Sequence, residues 1–186
     1  MSLTQISPPS AEPITLSELK DHLRITDANE DALINGALVA AVRAVEARGS
    51  LALLAQQWRL TLDAPPGETV ILPLSPVASI DTVSVIDAAG APQTVAPALY
   101  ETAAGSPGRL RPAAPWPNPG PRLDGVRIDF TVGYADAAST PEPLKQAVKI
   151  LAAHFFEARE AASESRVFSV PQSVDALIAP YREVRL

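Results

Sequence analysis

The sequence predicts an α+β chain: mostly an α-helical bundle, made of an N-terminal helix pair and a long C-terminal helix, with a small inserted antiparallel β-sheet and a C-terminal tail helix. Three observations carry this reading. Apolar residues recur at helical spacing near both ends, as Ile34, Leu38 and Val42 and again as Leu144, Val148, Leu151, Ala152 and Phe155. In the middle the period shortens to two, most cleanly where Val126, Ile128, Phe130 and Val132 alternate with Arg127, Asp129 and Thr131. The 19 prolines, clustered in that middle region, exclude an all-helical chain because each removes a helix hydrogen bond.

Residues 1–13, with Pro8, Pro9 and Pro13, read as an extended arm. Thr15-Leu16-Ser17-Glu18 is a capping box, in which hydroxyl and carboxylate each satisfy a free backbone N–H. It opens a short amphipathic helix through Leu16, Leu19 and Leu23. Asp27-Ala28-Asn29-Glu30 opens a longer helix to about Arg48, with Gly49 expected just beyond its end. Leu33, Ala37, Ala41 and Val45 form one row of that helix, and Ile34, Leu38 and Val42 the row beside it.

Strands follow. Trp58, Leu60 and Leu62 alternate with Arg59, Thr61 and Asp63, and Val70 to Leu74 reads as a short edge strand because of Pro73. Ile80, Val83 and Val85 lead to a turn at Asp87-Ala88-Ala89-Gly90, with Val95 to Tyr100 as the returning strand. Residues 107–121 hold six prolines and read as an irregular loop with polyproline II character. Thr140 is placed to cap a long helix to Ala162, with Pro141 and Glu142 suited to its first turn. The link from Ala161 to Val167 is small and polar. A short helix closes the chain, with Val174, Leu177, Ile178 and Tyr181 on one face and Pro180 ending it. A helix that short is marginal alone in water and must pack on something. The helices of the two chain ends are expected to pack together, with the β insert to one side.

Composition bounds the function. At 186 residues, 47% hydrophobic and 19% charged, the chain can bury one sizeable core. The absence of cysteine rules out a disulfide framework and a thiolate metal site. A net charge of −6 argues against broad wrapping of nucleic acid, although an acidic wall past which DNA slides is compatible with it. Met1 to Pro9 lacks a basic segment followed by an apolar run, and no stretch approaches the ~18 apolar residues of a membrane span. A soluble protein with no membrane partner is expected.

Reactive chemistry is sparse. Asp27, Asn29 and Asp31 have the spacing that opens a calcium loop, but the glycine and glutamate that such a loop needs are here Ala32 and Leu38. His154 and Glu157 are half a metal site at best, with His22 the only other histidine. Gly105-Ser106-Pro107-Gly108 lacks the first glycine of a nucleophile elbow, and no phosphate-binding glycine motif occurs. The expectation is therefore no catalytic residue, no metal and no cofactor. The proline-rich loop suits an SH3-like partner or a plain surface loop. Trp116 in it is expected to pack on the sheet or on a neighbour. Arg109, Arg111 and Arg122 either touch DNA or an acidic partner, or keep the loop soluble.

Order and spacing along nearly the whole chain resemble the head–tail connector (adaptor) proteins of tailed phages, prophages and gene transfer agents. The residues that carry the resemblance begin with Leu19-Lys20-x-His22-Leu23-Arg24-Ile25, Glu30-Asp31 and Ala41-Val42-x-Ala44-Val45-Glu46, and continue through Leu72-Pro73-Leu74-x-Pro76-Val77-x-Ser79-Ile80-x-x-Val83. They end with Pro143 to Val148, Ala153 to Glu160, Val170-Pro171 and Leu177 to Arg182. No single motif among them is chemically sharp. The resemblance implies one connector domain over residues 1–186: N-terminal helices at 14–50, a β region at 57–134 with its loop at 107–121, a long helix at 140–162 and a docking segment at 170–186.

It further implies a structural virion protein of the particle neck, assembled in the bacterial cytoplasm. Such a protein forms a ring, twelve-fold in the particle, that joins the portal protein to a tail-side stopper or terminator ring, with DNA only as passing cargo. The segment that docks on the portal would use Val170, Pro171, Val174, Leu177, Ile178, Tyr181 and Arg182. Alternatives are a stopper or tail-terminator ring protein, a cytoplasmic binding module using the proline-rich loop, or a tail that folds back to cap its own bundle.

Overall fold

A computed structural model describes residues 1–119, 123–158 and 170–182. Two compact units emerge, one of Met1–Pro9 with Ala55–Tyr134 and the other of Ser10–Leu54 with Ala135–Leu186.

Among the described residues the regular structure of the first unit is all strand apart from one 3-10 turn at Pro97–Leu99. Its strands are β1 (Ser2–Ser7), β2 (Gln56–Leu62), β3 (Val70–Ile71), β4 (Val77–Ile86), β5 (Pro92–Thr94), β6 (Tyr100–Ala103), β7 (Arg109–Pro112) and β8 (Val126–Val132). They form a five-stranded sheet in the order β1-β2-β8-β4-β5 and a three-stranded sheet in the order β3-β7-β6, every pair antiparallel. Central strand β8 shows why. Val126, Ile128, Phe130 and Val132 are fully buried on one face, opposite Leu62, Leu60 and Trp58 of β2 and Val85, Val83 and Ile80 of β4. The other face is polar. There Arg59 forks onto Asp129, Nε–Oδ1 and Nη2–Oδ2 both 2.7 Å, and the Thr131 hydroxyl donates to Asp81 at 2.8 Å.

The second unit is helical: α1 (Leu16–Leu23), α2 (Asp31–Gly49), α3 (Glu142–Ala158) and α4 (Gln172–Ile178). Helix α2 packs on α3, and α4 packs on both. Ile34, Leu38, Ala41, Val42 and Val45 of α2 share a core with Leu144, Ala147, Val148, Leu151 and Ala152 of α3. The small alanines let the two backbones approach. At α1 the capping box closes as expected: Glu18 N–H donates to Thr15 Oγ1 at 3.1 Å, and Thr15 N–H to the Glu18 carboxylate at 2.7 Å.

Several expectations need correction. The chain is not a mostly helical bundle: eight strands in two sheets stand beside four short helices among the described residues. The N-terminal arm is extended as expected, but it is a full strand, hydrogen-bonded along β2. Residues 109–112 lie in a strand although they belong to the proline-rich stretch, because Pro112 sits at the strand end, where a lost N–H costs little. The strand that returns beside β4 is Pro92–Thr94, earlier than expected, and Tyr100 starts a strand of the smaller sheet. Thr140 is buried, and its hydroxyl donates to Leu53 O at 2.9 Å and Asp136 O at 3.1 Å, away from the N-terminus of α3. Gly49 is the last residue of α2, and Ser50 takes the left-handed cap at φ 53°. The part of the long helix expected beyond residue 158 lies outside the described residues.

Candidate functional site

The sequence singled out the C-terminal segment, and its geometry within the helical unit is specific. Helix α4 begins after Pro171 and runs into a 3-10 turn over Ala179–Tyr181. Val174 and Ile178, one turn apart, are fully buried against α2 and α3. Gly49 makes room for Leu51 and Ile178. A Cβ there would lie 2.6 Å from Leu51 Cδ1 and 3.1 Å from Ile178 Cγ2. The face of that glycine, which bears a hydrogen where other residues carry a Cβ, thus lets the end of α2 touch α4.

Polar contacts hold the same joint. Arg48 Nε and Nη2 donate to Asp175 Oδ1 and Oδ2 at 3.0 and 2.8 Å. That guanidinium holds the Asp175 carboxyl below its ordinary value of 3.8. Arg182 Nε and Nη2 both donate to Arg48 O, at 2.8 and 2.6 Å. This carbonyl lies at the negative C-terminal end of α2, where carbonyls lack helical partners, so a cation from another element completes it. Neither contact was legible in the sequence, since the partners lie 127 and 134 positions apart.

Of the seven expected docking residues, Val174 and Ile178 therefore face their own core. Val170, Pro171, Leu177 and Tyr181 are half-buried, and Arg182 is exposed. The link Ala161–Val167 and the last four residues lie outside the described residues.

The remaining candidates resolve locally. Lys20 Nζ occupies the place that a cation would take beside Asp27 and Asp31, donating to Asp27 O at 2.7 Å and Asp31 Oδ1 at 2.6 Å. Asp27 Oδ1 accepts from Asn29 N–H, an ordinary turn bond. His154 is half-buried beside Phe155 with Glu157 exposed, and no group of three metal-ligating side chains occurs among the described residues. Trp116 packs edge-on against Tyr100, and its indole N–H donates to Leu99 O at 3.0 Å, so the loop's aromatic serves its own unit. Arg111 pairs with Glu101 at 2.6 Å across β6 and β7, while Arg109 is exposed; Arg122 lies outside the described residues. Among the described residues no helix is long and apolar enough to cross a membrane.

A family model described as "Head completion protein" matches residues 12–184. Three solved structures are similar over the entire chain and 97% of their own. One, titled as the virion of a native gene transfer agent (GTA) particle, is 32% identical with a TM-score of 0.81. The neck of an empty GTA particle computed with C6 symmetry is 30% identical with a TM-score of 0.79. The neck of a native GTA particle computed with C12 symmetry is 30% identical with a TM-score of 0.77. A comparison with curated proteins found no match. The resemblance to head–tail connectors holds at the level of both sequence and fold: the chain belongs to the head completion protein family.

Proposed function

We propose that this structural head–tail connector closes a ring of twelve copies at the neck of a phage-like particle. The ring joins the portal to a tail-side ring and leaves a channel through which DNA passes. The observation that carries the reading is the likeness, over the whole chain, to a chain of a neck computed with C12 symmetry. Closed rings of this kind need two different contact faces on each copy, because neighbours meet head to tail. The work is done by binding geometry, with no bond made or broken, a reading supported by family membership. Assembly before incorporation would take place in the bacterial cytoplasm.

Within this reading the segment 170–186 docks on the portal. Val170, Pro171, Leu177, Tyr181 and Arg182 supply accessible apolar, aromatic and guanidinium groups of the kind that anchor interfaces. Val174 and Ile178 join them only if α4 leaves its place on α2 and α3.

Electron microscopy of the purified protein mixed with its portal tests the proposal. A ring stacked on the portal's narrow end is expected. Portal that stays bare at saturating protein would overturn it. Removal of residues 170–186 should abolish stacking while the β unit keeps its fold.

A further inference from the structure

We infer that Glu12 is a proton-operated latch on the approach to α1. With a proton on its carboxyl the residues just before α1 are held firmly on α2, and loss of that proton loosens them. The device belongs to the single chain and is independent of ring formation.

The approach is pinned in place. Pro13 and Ile14 are buried, Ile14 to 1% exposure, so the backbone of Glu12 is fixed beside them. The side chain of Glu12 is half-buried, and its Oε2 is shielded from water without any hydrogen-bond partner. Buried polar atoms are nearly always bonded, because an oxygen taken out of water needs a donor in exchange. An ionised carboxylate needs it most. A carboxyl that carries a proton loses far less by the same burial.

Helix α2 supplies the charges that act on Glu12, namely Arg43 and Glu46. Arg43 is not reserved for Glu12: its Nη1 donates to Glu46 Oε2 at 2.8 Å, while Glu46 Oε1 accepts the Leu53 N–H at 2.9 Å. Two carboxyls thus share one guanidinium, and both oxygens of Glu46 have donors while Glu12 Oε2 has none. Ionised together, the three groups hold one negative charge in excess. A proton on Glu12 cancels it at the oxygen that lacks a donor. Burial, the largest influence, accordingly lifts the Glu12 carboxyl above its ordinary 4.5, with Arg43 opposing and Glu46 adding. Glu18, the next acid along the chain, moves the other way, held below 4.5 by Thr15. A carboxyl raised by folding adds its stability in full below 4.5 and loses it as pH rises through the raised value. The latch is closed in acid and open above that value.

Carboxyl NMR of the whole chain, joined to a pH series of melts, tests the inference. Glu12 should titrate above 4.5, and Arg43→Gln, which removes the opposing cation, should raise its midpoint further. Glu12→Gln, neutral and of the same shape, should melt higher than the parent chain at neutral pH, with the gap closing below 4.5. The Leu19 amide, which donates to Thr15 O at 3.1 Å in the first turn of α1, reports on the approach itself. Its exchange protection should fall severalfold in the parent as pH rises through the Glu12 midpoint, and stay level in Glu12→Gln. The Glu18 cap titrates below 4.5 and so leaves this window clear. A Glu12 midpoint at or below 4.5 overturns the inference. So does Glu12→Gln melting at or below the parent at neutral pH, or Leu19 protection that does not change in the parent. Should Arg43→Gln fail to fold, the parent titration and the Glu12→Gln melts decide the matter.

Discussion

Arg48 and Asp175 meet as a two-pronged ion pair across 127 positions of sequence, at 3.0 and 2.8 Å, and join the end of α2 to α4. The same arginine offers its carbonyl to Arg182, so one residue of α2 holds both the middle and the end of the terminal segment.

This pair makes the joint sensitive to acid. Asp175 titrates below its ordinary 3.8 because Arg48 donates to it. A carboxylate favoured in the folded state adds stability above its ordinary value and loses that contribution as pH falls through the lowered one. Thermal melts of the parent chain and Asp175→Asn should differ at neutral pH and converge in acid below 3.8. The pair is solvent-exposed, so the gap will be small.

Two glycines of one helix should respond in opposite directions. Gly49→Ala forces a methyl against Leu51 and Ile178 and should cost about 1–3 kcal/mol by overpacking. Gly36, with nothing within 4 Å of its missing Cβ, should gain about 0.5–1 kcal/mol on replacement by alanine. Denaturant titration of both variants checks the sign.

Separation of structural from docking roles is expected within α4. Ile178→Ala empties a fully buried position and should cost about 2–5 kcal/mol. Leu177→Ala, at a half-buried position, should cost less than about 2 kcal/mol and still weaken co-sedimentation with the portal. Normal portal binding by Leu177→Ala together with Tyr181→Ala would argue against this face as the docking surface.

At the first helix, Thr15→Ala removes one half of the capping box and should cost about 1 kcal/mol. Glu18 is held below its ordinary 4.5 chiefly by the Thr15 backbone N–H. The cap's contribution should therefore be present above that value and fade as pH falls through the lowered one, which a pH series of melts with Glu18→Gln would detect.

Legibility followed range. Thr15 and Glu18 are three residues apart, and their bond could be named from the letters alone. So could β8, whose alternation of buried and half-exposed residues is unbroken. Strand β1 could not, because Ser-Leu-Thr-Gln-Ile-Ser is nearly all exposed and its identity as a strand comes from β2, more than fifty positions away. Strand β7 was hidden by flanking prolines that its end positions tolerate. With these two strands unmarked by alternation, the letters show more helix than strand, although the fold holds eight strands among its described residues. The family, in contrast, was legible from order and spacing over the whole chain.

Local chemistry along the chain was enough for the capped start of α1, the Ile34, Leu38 and Val42 row of α2, the apolar stripe of α3 and the central strand, and order along the chain was enough for the kinship with head–tail connectors. Folding in three dimensions was needed to put Val174 and Ile178 in their own core, to bring Ile178 as well as Leu51 against Gly49, and to set Arg182 on the Arg48 carbonyl at the end of α2. Those facts depend on which distant surfaces meet. A side chain's burial is a property of its neighbours in space, and a one-dimensional pattern of apolar residues says that a face will be covered without saying by what.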